Sequence, residues 1–273
     1  MNNIAVLLPV YKKDKVDYLS KSVESILYQT YKDFHLYIGV DGPVGADLGD
    51  SLKLLERQDK ISVMWYPENR GLASVLNDLL TDCFKEGYEY IARMDADDIS
   101  VLDRFEKQMH FLEQHPDVDV VGGFASGIDE NGKLRNVITR HPENPEECRK
   151  IFAYTNPLGH PAVLFRKRFF DKAGLYRPEY RTNQDTLLWY DGLRNGVQMG
   201  NVQDVVIYFR TTSDMLKNRR GGFKKAKKQL TDRLMINKGL GYGIKANIYA
   251  YGIFLMMISP YFVRKLAYDI LKR

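Results

Sequence analysis

The sequence predicts an α/β fold built on a mostly parallel, doubly wound sheet, followed by C-terminal amphipathic helices. Apolar strand signals alternate with amphipathic helical signals four times in the first half of the 273-residue chain. Such alternation calls for crossover helices on both faces of a parallel sheet. Each strand signal then ends in a polar or turn-forming segment: "PVYKK" (9–13), "VDGP" (40–43), "PENRG" (67–71) and "DADD" (95–98). Ligands of open α/β sheets bind beyond the carboxyl ends of the strands, so these four segments are expected to converge on one edge. Finally, the composition shifts near residue 217 from an acidic body to a basic, apolar tail.

In chain order, "NIAVLLPV" (3–10) reads as a buried strand, and residues 16–29 place Leu19, Val23, Ile26 and Leu27 at helical spacing. "FHLYIGV" (34–40) is rich in strand formers, "LKLLERQ" (52–58) reads as helix and "ISVMWY" (61–66) as strand. Leu72, Val75, Leu76, Leu79 and Leu80 share one face of a helix over 72–84, and "YEYIARM" (88–94) is the fourth strand. Ser100 and Asp103 resemble a capping box for a helix carrying Leu102, Phe105, Met109 and Leu112. "DVDVVGG" (117–123) is a fifth strand. The second half is less regular: a turn between strands near "IDENGKL" (128–134), strands at 161–166 and 205–210, and a helix starting at "NQDTLLWYDGLRN" (183–195).

Net charge is +5, unevenly placed. Residues 217–273 hold 14 Lys and Arg against two acids, net +12, which leaves net −7 for the remainder. This divides the chain into an acidic body, 1–216, and a basic helical tail, 217–273, whose expected partner is an anionic membrane surface. The apolar stretch Ala246–Ile258 is followed by Pro260. As a helix it is about 20 Å long, short of the roughly 30 Å of a bilayer core, so an interfacial helix is expected rather than a span. A core-packed helix pair is the competing reading. Nucleic acid is not expected as a partner, because Phe223 is the only aromatic residue within 217–228 to stack on bases. Residues 1–10 lack a basic leader region, and Cys83 and Cys148 stand far apart, so neither a secretory signal, a disulfide framework nor zinc is expected.

Asp95, Asp97 and Asp98 pose the main question, since like charges this close repel. If strand geometry persisted, Asp95 and Asp97 would point to the same side, where two carboxylates can share a divalent cation with phosphate oxygens. An EF-hand loop is excluded, because Ser100 stands where its glycine is required. A phosphoryl-aspartate enzyme is weakly supported, and a solvated acidic loop with one helix cap stays open on these residues alone.

Context narrows the choice. "LLPVYKK", "VDG", "NRGLASVLN" and "RMDADD" occur in fixed order, followed by "DRFEKQMHFLEQHPDVDVVGG" and "NPLGHPAVLFRKRFFDKAGLYRPEYRTNQDTLLW". In this ordered set, over roughly residues 3–212, the chain resembles the family 2 glycosyltransferases, inverting enzymes of GT-A fold. The resemblance implies a nucleotide-diphosphate sugar as donor. It implies that Pro9, Val10 and Tyr11 border the nucleotide, that Asp41 accepts from the uracil edge, and that Arg70 reaches the base or phosphates. It assigns Asp95 to ribose and metal, Asp97 to Mn²⁺ or Mg²⁺, and the catalytic base to Asp185. The family often has two acids at the Asp41 position, where this chain has Val40-Asp41. The acid that usually precedes the base is Gln184 here, which removes a like charge and is expected to ease ionisation of Asp185. Asp98 is expected to cap a helix or act through water. His160, Trp189 and Arg210 are candidates for acceptor or diphosphate contact. Trp189 has an aromatic face suited to a sugar, with a core tryptophan as the alternative.

The expected function is sugar transfer from a UDP-hexose or UDP-N-acetylhexosamine to a glycan on a lipid diphosphate, in surface polysaccharide or O-antigen synthesis. It would take place peripherally on the inner face of the cytoplasmic membrane. A nucleotidyltransferase would show a glycine-rich phosphate loop, and "VYKKDKV" has no glycine. Non-catalytic nucleotide-sugar or nucleic-acid binding are further alternatives; the intact Asp95, Asp97 and Asp185 argue against the former.

Overall fold

β1 (Ile4–Val10) lies between β2 (Phe34–Asp41) and β4 (Tyr90–Arg93), parallel to both, and β3 (Ile61–Tyr66) extends the parallel set beyond β2. The structure is a computed structural model that describes residues 3–212 and 222–259. The chain forms two units, residues 1–150 with 156–210, and residues 151–155 with 211–273.

In the first unit the sheet order is β3-β2-β1-β4-β8-β6-β9-β5, with β7 paired to β6. The second half of the sheet is mixed. β8 (Leu164–Arg166) is antiparallel to β4 and β6 (Val120–Ile128), whereas β9 (Met199–Arg210) runs parallel to β6 and antiparallel to β5 (Ile99–Ser100). β7 (Leu134–Thr139) closes the expected hairpin through Gly132, at φ +86°.

The central parallel strands β1 and β2 are covered on both faces, which explains their near-continuous apolar runs, whereas β3 at the edge is half-exposed. Ile4, Val6, Leu8 and Val10 join Leu19, Val23 and Ile26 of α1 (Val16–Leu27) in the main core. On the other face α3 (Leu72–Lys85) approaches β2 so closely that a Cβ on Gly39 would lie 2.5 Å from Val75 Cγ1.

Several boundaries differ from expectation. The helix read at 52–58 is α2, Ala46–Leu55. The strand read at 205–210 is the second half of β9. Residues 160–162 form a 3₁₀ turn, leaving only 164–166 as strand. Ser100 does not cap α4 (Arg104–Gln114). It lies in β5, where its N–H donates to Ser25 Oγ and its hydroxyl takes a bond from Gln29, and Leu102 is exposed. The unit is completed by α5 (Pro145–Ile151), α6 (Lys167–Ala173) and α7 (Gln184–Arg194).

The second unit contains α8 (Phe223–Leu240) and α9 (Ile244–Ile258), joined by Gly241 at φ +72°. Tyr242 N donates to Asn237 O at 2.8 Å, closing the C-terminus of α8. Tyr154 meets Tyr249 edge to face, and Arg233 donates to the Phe152 carbonyl at 2.6 Å. Among the described residues no helix is long and apolar enough to cross a membrane. Residues 213–221 and 260–273, which include much of the basic segment, lie outside the described residues.

Candidate active site

The aspartates converge by a turn, not by strand alternation. β4 ends at Arg93, and a turn follows in which Asp98 N faces Asp95 O. One carboxylate oxygen from each of Asp95, Asp97 and Asp98 lies within 4.8 Å of the others. The turn is held from inside. Ser22 Oγ donates to Asp95 O at 2.9 Å, and buried Arg93 pairs with the Asp95 carboxylate. Arg210 donates through its backbone N to Asp98 Oδ1 and through Nε to Asp97 O, both at 2.8 Å.

Two expectations are corrected here. Arg210 is 1% exposed; it also binds the carbonyls of Asp129 and Glu130 and lies over the Tyr18 ring, so it builds the turn instead of facing a phosphate. Asp98 caps no helix, since α4 starts six residues later; its carboxylate is buried and anchored by the end of β9.

The cluster suits a divalent cation. Its donors are hard carboxylate oxygens, and Asp98 Oδ2 is buried with no hydrogen-bond partner. Burial and the charges of Asp95 and Asp97 push the Asp98 carboxyl well above the usual range, a strain that a cation would relieve.

A fourth carboxylate, Asp14, escaped sequence reading. It accepts from Tyr11 N at 2.8 Å, while its own N donates back to Tyr11 O, so it folds the loop after β1 on itself. Burial raises its carboxyl to about 7, and the charges of Asp97 and Asp95 contribute. The signal in the sequence was an Asp three residues after Tyr11 in a polar loop, a local turn former. Tyr11 is exposed and Pro9 half-buried, whereas the Val10 side chain is in the core and offers only backbone to a ligand.

Asp41, at the end of β2, is 6% exposed and organises the neighbouring loop. Its Oδ1 accepts from Arg70 N at 2.7 Å; its Oδ2 accepts from Asn69 Nδ2 at 2.8 Å and Gly71 N at 2.9 Å. Gly42, at φ +84°, permits this approach, since a Cβ there would lie 2.6 Å from Asn69 N. The Arg70 guanidinium is tied to Asp78 and stacks on Tyr66. Arg181, also missed from the sequence, donates to Asn69 Oδ1 at 3.3 Å, linking the segment before α7 to this loop.

Asp185 stands in the first turn of α7, after Asn183 at φ +62°. Asn156 Nδ2 donates to its Oδ2 at 3.0 Å and is itself held by Thr186 Oγ1 at 3.1 Å. Gln184 adds no charge beside Asp185, and burial sets the direction instead. Burial raises the Asp185 carboxyl above the usual range, and this outweighs the bonds from the backbone and the attraction of Arg93. Asp185 feels both Arg93 and Asp95, so the predicted base and the acidic turn share one electrostatic neighbourhood. The competing Asp191 forms a two-pronged pair with Arg177, at 2.9 and 2.6 Å.

Trp189 and His160 belong to the core. Trp189 has no exposed surface and is wedged among Phe165, Phe169 and His160, so it offers no face to a sugar. His160 Nε2 lies 2.8 Å from Tyr176 Oη, and burial, with the charge of Arg93, depresses its pKa well below the ordinary value and keeps the ring neutral.

The sequence and the fold have counterparts among known proteins. Residues 5–174 match the profile described as "Glycosyl transferase family 2". The chain is 30% identical, over 97% of both chains, to the amylovoran biosynthesis glycosyltransferase AmsE of Erwinia amylovora. It is 29% identical to the UDP-Gal:alpha-D-GlcNAc-diphosphoundecaprenol beta-1,3-galactosyltransferase of Escherichia coli, over 96% of this chain and 91% of the relative. The crystal structure of S. aureus TarS 1-349 with UDP-GlcNAc superposes with a TM-score of 0.66 at 15% identity, covering 93% of this chain and 72% of that one. The likeness to TarS fits a GT-A fold.

Proposed function

The chain belongs to glycosyl transferase family 2, and from that premise we propose a metal-dependent, inverting transferase acting on a UDP-hexose or UDP-N-acetylhexosamine. The acceptor in this reading is a glycan on a lipid diphosphate, extended during surface polysaccharide or O-antigen synthesis at the inner face of the cytoplasmic membrane. The observation that carries it is the turn of Asp95, Asp97 and Asp98 with Asp185 in its electrostatic neighbourhood. One relative named for amylovoran biosynthesis, one named for O-antigen biosynthesis and one named for a UDP-Gal donor and a GlcNAc-diphosphoundecaprenol acceptor support the donor and acceptor classes.

In this reading Tyr11 and the loop built on Asp41 and Arg70 receive the nucleotide. Asp95 and Asp97 would hold Mn²⁺ or Mg²⁺, which when bound supplies positive charge against the diphosphate leaving group. Asp185 orients the acceptor hydroxyl and takes its proton as the oxygen bonds to C1 of the sugar. The C1–O bond to the diphosphate breaks on the opposite face, and its electron pair leaves with UDP. Arg93 holds Asp95 in place and offsets the charge of the cluster. The positive charge of α8 and the apolar character of α9 support an anionic membrane as the place of work.

The test is a screen of UDP- and GDP-sugars for Mn²⁺-linked thermal stabilisation and transfer. Asp97→Ala should lose the metal-linked response. Asp185→Asn should keep donor binding and lose roughly 10²–10⁴-fold in transfer. Transfer at the parent rate by Asp185→Asn would remove the base from the scheme.

A further inference from the structure

Beyond Lys245 and Asn247 in its first turn, α9 is apolar on every side, yet only one side is covered by the described residues. Ala246 and Ala250 are buried, and Tyr249, Ile253, Phe254 and Met257 line a cavity of about 110 Å³ shared with α8 and Tyr154. The other side carries Ile244, Ile248, Tyr251, Leu255 and Ile258, exposed by 75, 65, 51, 61 and 42%. The spacing 244, 248, 251, 255, 258 is one stripe of an α-helix. No acidic or basic residue occurs from Ala246 to Ile258. A continuous apolar stripe left in water marks a contact surface.

We propose that this stripe docks in the plane of an anionic lipid bilayer, with the lysines of α8 on the headgroups. The inference rests on the membrane-facing half of the reading above and names the element responsible. Length excludes a crossing: 15 residues span about 22 Å of helix, against roughly 30 Å of hydrocarbon. Charge selects the occupant. Within 222–259 the basic residues are Lys224, Lys225, Lys227, Lys228, Arg233, Lys238 and Lys245, and the only acid is Asp232, paired with Lys228. Anionic headgroups complement such a surface. A second copy would meet it with like charge, and α9 has no flanking acid to form the interhelical ion pairs of a coiled coil.

The experiment uses the full chain and vesicles of phosphatidylcholine, with and without phosphatidylglycerol. Wild type should sediment with the anionic vesicles and be released by salt. Ile248→Glu/Leu255→Glu should lose tenfold or more of that partitioning. Both positions are exposed and glutamate is a good helix former, so the fold should hold. Lys224→Gln/Lys227→Gln, with the stripe intact, should lose about fivefold per lysine at low salt. Unchanged partitioning of the glutamate variant overturns the proposal. So does a wild-type dimer that the glutamate pair splits while vesicles bind neither protein. Thermal response to UDP, read in parallel, separates the two readings: vesicle binding without any nucleotide response sinks the transferase scheme and leaves the docking face standing.

Discussion

Replacing Asp41 by asparagine tests the architecture of the nucleotide-side loop. The carboxylate accepts three N–H bonds, from Arg70 N, Asn69 Nδ2 and Gly71 N, at 2.7–2.9 Å. An amide placed with its NH₂ at the Oδ1 position faces Arg70 N donor to donor and loses that bond. The flipped amide loses the other two. A hydrogen bond to a charged group contributes about 1.5–3 kcal/mol, and the surviving bonds weaken when the charge is removed. One bond lost and two weakened sum to about 3–4 kcal/mol. For a chain of this size each kcal/mol is worth about 2–4 °C, so Tm should fall by about 6–16 °C. UDP affinity should fall with it, because the loop that carries Arg70 loses its anchor. Thermal melts with and without UDP read both quantities. A Tm within about 1 °C of wild type, at equal UDP affinity, would refute the account of Asp41 as the organiser of residues 69–71.

Other outcomes follow from the same geometry. Asp14 holds its proton in the folded state up to about 7, against an ordinary 3.8. Its contribution to stability is therefore full below about 3.8 and is lost as pH rises towards about 7. Asp14→Asn should flatten the fall in Tm across that window, and an unchanged slope would exclude Asp14 as its source. Arg93→Met removes the cation that lowers the Asp185 carboxyl, so the acidic limb of kcat/KM should move to higher pH; an unmoved limb would separate the two residues. Trp189→Ala should cost about 3–5 kcal/mol of stability as a core cavity while donor affinity of the folded fraction holds, and a selective loss of acceptor affinity would return the indole to the site.

The parallel half of the sheet was legible because its signals are local. A strand covered on both faces reads as an apolar run, and amphipathic helices show their stripes, so β1–β4 and α1, α3 fell where the residues placed them. The antiparallel return was less legible. β8 has three residues and β5 two, and their pairing is decided by partners far along the chain. The same distinction runs through the site. The residue type and order of Asp95, Asp97 and Asp185 are visible in sequence. That Arg210 and His160 face inward depends on Asp98, Tyr18 and Tyr176, which only the fold brings to them. Asp185 illustrates the limit most sharply: neighbouring charge can be read from residue 184, but burial cannot, and burial decides the direction of its pKa.

The inward arginines explain how the acidic turn tolerates itself. Arg93 and Arg210 are buried beneath it, and Arg104 lies deeper still, donating to the Arg93 carbonyl at 2.9 Å and to Val163 O at 3.1 Å. Burial and the charge of Arg93 pull the Arg104 guanidinium down to about 9. Such a placement is costly unless it offsets something, because unpaired buried charge is strongly disfavoured. What it offsets is the field of Asp95, Asp97, Asp98 and Asp14, four carboxylates linked by mutual repulsion. Arg93 carries its charge in a buried setting, where solvent screens it little and its field extends to neighbouring groups. That field reaches Asp185, whose carboxyl it lowers, and His160, whose protonation it opposes. One arginine thus acts on both groups in the direction of an ionised carboxylate at Asp185 and a neutral imidazole at His160, and at Asp185 burial acts against it and is the larger influence.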